Sequence, residues 1–224
     1  MKIKKLISAL VLGSMLVGLS GCNITDFSAE NLLRPPKAVG DEAEIEQLIA
    51  KTADSGYTLK YPKNGKFRSA IIMTDLDGND SNEAVAFFRN SAETSSVHML
   101  VMYSKDNSWE IASDNIFETT DIDSVDFADL TGNGKAEIIV NSTTYTPNVG
   151  KLSCYSYSEG KTNEVGSGQS CSSFVTGDFD NDGTSEIMSF VLYTTENEAL
   201  ASMLDYNEDS KSLYAKAMAN MDPN

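Results

Sequence analysis

The chain has 224 residues, with 33 acidic and 17 basic side chains and a formal net charge of −16. Residues 1–21 hold three lysines and no acid, so without them 14 basic and 33 acidic side chains remain, a charge of −19. Such an acidic chain excludes nucleic acid and anionic lipid headgroups as expected partners, because both bind basic surfaces.

Residues 1–21 are predicted to be a lipoprotein signal peptide. A lysine-rich start precedes an apolar stretch from Leu6 to Leu19, which is too short to predict a permanent membrane-spanning helix. The stretch ends in Leu19-Ser20-Gly21-Cys22, which resembles the lipobox of bacterial lipoproteins. The resemblance implies cleavage before Cys22 and lipidation of this residue. The protein would then be anchored by lipid to the cell membrane and face its extracytoplasmic side.

A tether and one helix are predicted next. Residues 22–40 have little apolar periodicity, and Pro35-Pro36 stiffens them, which indicates a lipidated tether. Residues 41–55 are predicted to contain a short helix, because acidic residues crowd its first turn and Ile45, Leu48 and Ile49 share one face. We expect this helix to be a packing element.

Residues 56–224 are predicted to be all β. Three units, at about 66–115, 121–167 and 171–219, recur at spacings of 54 and 49 residues. In each unit a strand enters a short acidic loop, a mostly apolar strand leaves it, and two further strands follow. The strands that leave the loops are expected to be buried on both faces. Four antiparallel strands at this spacing predict three blades of a β-propeller-like fold.

The number of blades leaves two alternatives open. Propellers close with about four to eight blades, so three blades predict either an incomplete propeller or an open wedge that the helix covers. The alternating segment from Tyr57 to Tyr61 is predicted to be an additional strand that completes a blade whose other strands lie elsewhere.

The acidic loops share a nine-residue pattern, D-x-[DT]-x-[DN]-[GD]-x-x-E, at residues 75–83, 129–137 and 178–186. Oxygen-bearing side chains recur at its first, third, fifth and ninth positions. Ca²⁺ requires about six to eight oxygen ligands, from carboxylates, amides and carbonyls. A loop of this kind between two strands therefore predicts a site for a hard cation.

The loop, repeated once per four-stranded unit, resembles the FG-GAP and VCBS repeats found in integrin α-chain propellers and many bacterial surface proteins. The resemblance covers roughly Phe67 to Met218 and implies up to three structural calcium sites, the third being the closest match. The implied metal ligands are Asp75, Asp77, Asn79, Ser81 and Glu83; Asp129, Thr131, Asn133, Lys135 and Glu137; and Asp178, Asp180, Asp182, Thr184 and Glu186. Thr184 would contribute its carbonyl group.

Two of the loops depart from the family pattern. The first has Asp80 where glycine is expected, and aspartate tolerates a left-handed backbone better than most residues. The second has Thr131 and Asn133 where carboxylates are usual, so it should be the weakest site. Glutamate at the ninth position either binds the ion or braces the loop.

No catalytic constellation is predicted. The single histidine, His98, lies in an apolar segment and is expected to be a packed sheet residue. Cys154 and Cys171 either pair or remain free. The sequence therefore predicts a lipid-anchored, calcium-stabilised surface module that binds an extracellular protein or glycan and has no catalysis of its own. The alternative is an enzyme, or an enzyme-associated propeller, that acts on extracellular glycans.

Overall fold

The computed structural model describes residues 40–54, 56–146, 148–193 and 198–221. The predicted signal peptide, the lipidation site at Cys22 and nearly all of the predicted tether lie outside these residues. Across the described part of the chain there is one helix, and none of sufficient length and apolarity to cross a membrane. The remaining regular elements are strands, which confirms the predicted all-β, propeller-like fold with a preceding short helix.

The helix α1 spans Asp41–Ala53, and acidic residues occupy its first turn. One side of it is buried, through Ile45, Ile49 and Ala53. This side packs against buried residues of the first sheet, among them Phe88 and Trp109. The apolar face predicted from the sequence therefore covers the outer face of the first blade.

In the residues that the structure describes, the strands form three separate antiparallel sheets. Each sheet is a meander in which most consecutive strands are neighbours, as expected when hairpins join them. The first contains β1 (Tyr57–Leu59), β2 (Ile71–Thr74), β3 (Glu83–Asn90), β4 (Val97–Lys105) and β5 (Ser108–Phe117). The second contains β6 (Ile122–Ala128), β7 (Glu137–Thr143), β8 (Gly150–Ser158) and β9 (Lys161–Cys171), and the third β10 (Ser173–Gly177), β11 (Glu186–Tyr193), β12 (Glu198–Asn207) and β13 (Ser212–Met221).

The strand predicted at 57–61 does not complete a distant blade. Instead β1 and β2 pair end to end with one edge of β3, where Thr58 is opposite Arg89 and Ile72 is opposite Val85. The residues between them, 60–70, form what we term the crossing loop. Its backbone reaches the second sheet, because Asn64 N donates to Asp123 O at 2.7 Å. The sequence did not predict this pairing, because the crossing loop separates the two short strands that share one edge of β3.

The sheets are held together by two apolar layers. Alternate residues of β7 point to opposite neighbours, so Ile138 packs toward the first sheet and Ile139 toward the third. The strands β3 and β7 are buried on both faces, as predicted. The same prediction is wrong for β11, where Leu192 is 42 % exposed on the far face of the third sheet. The thiols of Cys154 and Cys171 are free and buried, and they lie in the apolar layer between the second and third sheets.

Candidate cation-binding loops

The aspartate that begins each acidic loop folds the loop around its own carboxylate. In the third loop Asp178 Oδ1 accepts a hydrogen bond from Asp182 N at 3.2 Å, and its Oδ2 accepts one from Gly183 N at 3.1 Å. Asp75 and Asp129 accept bonds from the equivalent backbone groups of their loops. The repeated sequence pattern therefore produces a repeated backbone geometry.

The fifth residue of each loop closes a smaller turn. Its side-chain oxygen accepts the backbone N–H two residues later, with distances of 2.7, 2.8 and 2.9 Å in the first, second and third loops. The donors are Ser81, Lys135 and Thr184. That these three residues bind a metal, Thr184 through its carbonyl group, stays a prediction. Short polar side chains favour such turns because they can bond to the nearby backbone.

The glutamates that end the loops, Glu83, Glu137 and Glu186, brace them. In each case Oε2 accepts the backbone N–H of the loop's second residue at 2.8 Å. The other oxygen differs among the loops. Glu137 Oε1 accepts from the hydroxyl of Thr131, whereas Glu186 Oε1 is buried and has no hydrogen-bond partner among the residues that the structure describes. Desolvation raises the pKa of all three carboxyls, that of Glu137 to about 6.

Two more exposed carboxyls of the loops, those of Asp75 and Asp182, have lowered pKa values instead. Desolvation alone would raise the pKa of Asp75, but backbone donors that include Asp80 and Gly78 together hold it below its ordinary value. Hydrogen bonds from the hydroxyl and backbone N–H of Thr184 lower the pKa of Asp182. These two acids are therefore ionised at neutral pH, and the first and third loops keep anionic oxygens near their surfaces.

Two positions in every loop have a left-handed backbone. The sixth position was predicted to need one, and Asp80 adopts it, as expected from its tolerance of this region. The fourth position was not predicted, although the presence of glycine or asparagine there in all three loops was an available signal. The residues are Gly78 (φ 74), Gly132 (φ 70), Asn181 (φ 62), Asp80 (φ 66), Gly134 (φ 79) and Gly183 (φ 94).

Carboxylates converge in the first and third loops. Asp178, Asp180, Asp182 and Glu186 each offer an oxygen within 4.8 Å of the others, and the first loop brings Asp75, Asp77 and Glu83 together in the same way. Within the described part of the chain, each cluster also includes a buried oxygen that has no hydrogen-bond partner, Asp77 Oδ1 in the first loop and Glu186 Oε1 in the third. These acidic clusters could hold a metal ion. The second loop has only two carboxylates, Asp129 and Glu137.

A lysine that sequence reasoning missed is part of the third loop's surroundings. Lys216 Nζ, on β13, lies 2.5 Å from Asp180 Oδ2 and 2.8 Å from Asp205 Oδ2. Both hydrogen bonds raise the pKa of Lys216, and the bond to Asp180 is the larger cause. Asp180 Oδ1 points the other way and accepts from Asp182 N. Asp180 can therefore use one oxygen within the loop while the other holds Lys216.

The three loops are joined in a row by backbone hydrogen bonds. Ala136 N of the second loop donates to Leu76 O of the first at 3.0 Å, and Ser185 N of the third donates to Asp129 O of the second at 2.9 Å. All three loops therefore lie at the same end of the sheets, and a change in one can reach the next through the main chain.

The single histidine is a packed sheet residue. His98 Nδ1 lies 2.9 Å from Asp114 Oδ1, and the ring stacks on Phe88 at 4.8 Å between centroids. Its Nε2 is 3.6 Å from a carboxylate oxygen of Glu93 and has no hydrogen-bond partner in the described ranges of the chain. The placement in a buried strand agrees with the sequence prediction.

The fold and the loops define an all-β, propeller-like protein with carboxylate clusters at one end of its sheets. Comparison with family models finds no match to this chain, and comparison with curated proteins also finds none. The resemblance to FG-GAP and VCBS repeats therefore depends on the loop pattern and its placement between strands.

Proposed function

We propose that this protein is a lipid-anchored, calcium-stabilised binding module on the extracytoplasmic side of a bacterial membrane, with no catalysis of its own. The observation that carries the proposal is the third loop. Four carboxylates converge there within 4.8 Å, and one buried oxygen, Glu186 Oε1, accepts no hydrogen bond from any residue that the structure describes. A buried, unpaired carboxylate oxygen is costly, and a bound cation would offset this cost.

Calcium is the proposed ion because of the donor set. The clusters in the first and third loops consist of carboxylates, with Asn79 adding an amide oxygen at the fifth position of the first loop. Hard cations prefer such oxygen donors, and Ca²⁺ accepts the irregular geometry of a nine-residue loop more readily than Mg²⁺, which demands a near-ideal octahedron. A bound ion would hold the like charges of each cluster together.

A binding role is proposed from the combination of the repeats, the loops and the lipobox. Repeats of the FG-GAP and VCBS type form the propellers of many surface proteins, and the Leu19-Ser20-Gly21-Cys22 sequence would attach this one to a membrane. The acidic loops brace one end of the three sheets, which leaves the opposite end and the outer strands to contact a partner. The partner would be an extracellular protein or glycan.

Calcium titration of thermal stability tests the proposal. In the calcium-free protein, added Ca²⁺ should raise the melting temperature, because a ligand at about 100 times its Kd stabilises the folded state by about 2.7 kcal/mol. Asp180→Ala should remove more of this calcium-dependent stabilisation than Thr131→Ala, since Asp180 belongs to the four-carboxylate cluster. Mg²⁺ at the same concentration should have a smaller effect.

Differential scanning calorimetry with and without a chelator provides the measurement. A melting temperature that did not respond to calcium in the unmodified protein would contradict the cation proposal. A larger loss in Thr131→Ala than in Asp180→Ala would instead show that the second loop is the stronger site, and would overturn the proposed ranking of the loops.

A further inference from the structure

The third sheet has an apolar face that is turned away from the second sheet. Ile187 and Leu204 pack toward the second sheet, so the residues that alternate with them point the other way. We term this surface the far face, and it is formed by Val175, Met188, Phe190, Leu192, Ala201 and Met203. No helix or sheet of the described residues packs on it, and Val175 and Leu192 are 51 % and 42 % exposed.

The same positions of the repeat form the packing layers between the blades. Two residues after the glutamate that ends each loop, Val85 and Ile139 are fully buried against the next sheet, and Met188 is their counterpart on the far face. Four residues after the glutamate, Phe190 corresponds to Phe87, which is buried between the first and second sheets. The register of the repeat therefore gives the far face the residues that elsewhere pack against another sheet.

The opposite end of the row of blades is already covered. There α1 packs on the first sheet, against Phe88 and Trp109 among others. Stacked repeats bury their apolar faces against their neighbours, so a stack needs a cover at both of its ends. Two copies that meet through their far faces would form a stack of six blades with one α1 at each outer end. The described part of each chain supplies one such helix, which is what this arrangement requires.

The charge of the far face suits contact with an identical face. The chain has a net charge of −16, yet none of the six residues is charged. Asp205, the next outward position of β12 after Met203, is paired with Lys216 at 2.8 Å. Two far faces can therefore meet without the burial of unpaired carboxylates, which would be strongly unfavourable.

The size of the far face is also sufficient. The four strands of the third sheet have five to ten residues each. With strands about 4.8 Å apart and about 3.3 Å per residue, the sheet covers about 500 Å² in its plane. The side chains corrugate this plane, which brings its accessible area to the scale of a standard interface, about 800 Å² per partner.

We infer that the far face binds the far face of a second copy of this chain, in a two-fold symmetric dimer. Such dimers are the commonest closed assemblies, and their interface requires only that one surface be complementary to itself. The inference goes beyond the proposed function and does not depend on it, because none of the six residues belongs to an acidic loop.

Sedimentation equilibrium of the full chain, isolated from membranes in neutrally buoyant detergent, tests the inference. The unmodified protein should be a dimer at about 10 µM, since interfaces of standard size have Kd values in the micromolar range or below. Leu192→Glu should raise Kd at least about 100-fold, because the two-fold symmetry would place two unpaired carboxylates in one apolar interface. Amine cross-linking in membranes, before detergent is added, gives a second measurement of the dimer.

Val175→Glu is a second variant of the far face and should have the same effect as Leu192→Glu. Ile116→Glu is the matched control, because Ile116 is an equally exposed apolar residue, at 57 %, on β5 of the first sheet. This control should remain a dimer. Melting curves of all three variants show whether each is folded, and because all three substituted side chains are exposed, we expect folded proteins.

An unmodified protein that is monomeric in both measurements would overturn the inference, as would a dimer that both far-face variants retain. A monomer that Leu192→Glu and Val175→Glu destabilise would indicate that residues 22–39 cover the far face instead. A monomer whose melting temperature they leave unchanged would indicate that a different protein binds there. Calcium-dependent melting of the same samples tests the proposed function separately.

Discussion

At the scale of single residues, the glutamate that ends each loop is the most informative side chain. Glu137 is buried, and its Oε2 accepts backbone N–H groups of both Leu130 and Thr131. These bonds favour the charged form, but desolvation is the larger effect and leaves the pKa at about 6. Without a cation, the folded protein therefore holds a proton on Glu137 that the unfolded chain releases at lower pH.

The sign of the pH dependence follows from this raised pKa. Stability from the protonated Glu137 is fully present below its ordinary pKa of 4.5 and is lost as pH rises through about 6. The loss amounts to about 2 kcal/mol. Glutamine does not titrate, so Glu137→Gln should lack this pH-dependent contribution to stability. The difference in unfolding free energy between the unmodified protein and Glu137→Gln should therefore change by about 2 kcal/mol between about pH 4 and about pH 7.

Urea unfolding with a chelator present, at several pH values, measures this difference. Glu159→Gln is the control, because Glu159 lies exposed in the turn between β8 and β9, and its difference from the unmodified protein should stay constant. Parallel stability curves for Glu137→Gln and the unmodified protein would contradict the assignment of this titration to Glu137.

At the scale of the elements, the contact between the second and third loops can be tested with two glycines. Gly132 and Gly134 both have positive φ, at 70° and 79°. A Cβ at position 132 would lie 2.6 Å from Thr184 Cγ2, whereas one at position 134 would meet nothing within 4 Å. Alanine at either site carries a backbone penalty of about 1–2 kcal/mol, but only at position 132 would the added methyl group also press against the third loop, through the side chain of Thr184.

We expect Gly132→Ala to lower the melting temperature more than Gly134→Ala does. We also expect it to weaken calcium binding by the third loop, since Thr184 bonds to the ligand candidate Asp182. Calorimetric melting and calcium titration of both variants check this. Equal effects of the two substitutions would mean that Thr184 moves aside without disturbing its loop.

The elements that the sequence predicts well are those with a local signal. The hairpins around the acidic loops follow from oxygen-bearing residues at fixed spacing between apolar strands, and α1 follows from its periodic apolar face. The sequence did not predict that β1 and β2 share one edge of β3. Their register with β3 is set by pairing across the crossing loop, which has no periodic pattern.

The candidate site also has local features that the sequence predicts and long-range contacts that it does not. The convergence of Asp178, Asp180 and Asp182 is a property of one short loop and could be read from the sequence. The ion pair of Lys216 with Asp180 joins residues 36 apart, and the hydrogen bond from Asn64 to Asp123 joins residues 59 apart. Such contacts require the register of the whole third sheet and the path of the crossing loop.

At the scale of the whole molecule, the proposed lipobox at residues 19–22 would determine where the protein works. Replacement of the proposed acylation site, Cys22→Ser, should prevent lipid attachment. The variant should then lose detergent-phase partitioning, because stable anchoring requires acyl chains. Triton X-114 partitioning and mass spectrometry of the native protein measure this.

The control for the anchor is Cys154→Ser, which alters a thiol in the apolar layer between sheets and should keep the acylated form. An unmodified thiol at Cys22 in protein isolated from membranes would refute the anchor.

The backbone bonds from Ala136 to Leu76 and from Ser185 to Asp129 have a consequence for the shape of a calcium titration. The second loop, with two carboxylates, would bind poorly alone, but ordering of its neighbours would already have removed part of the conformational entropy that its own binding must overcome. Its occupancy would then follow that of the other loops, and the three sites would fill over a narrower range of calcium concentration than independent sites.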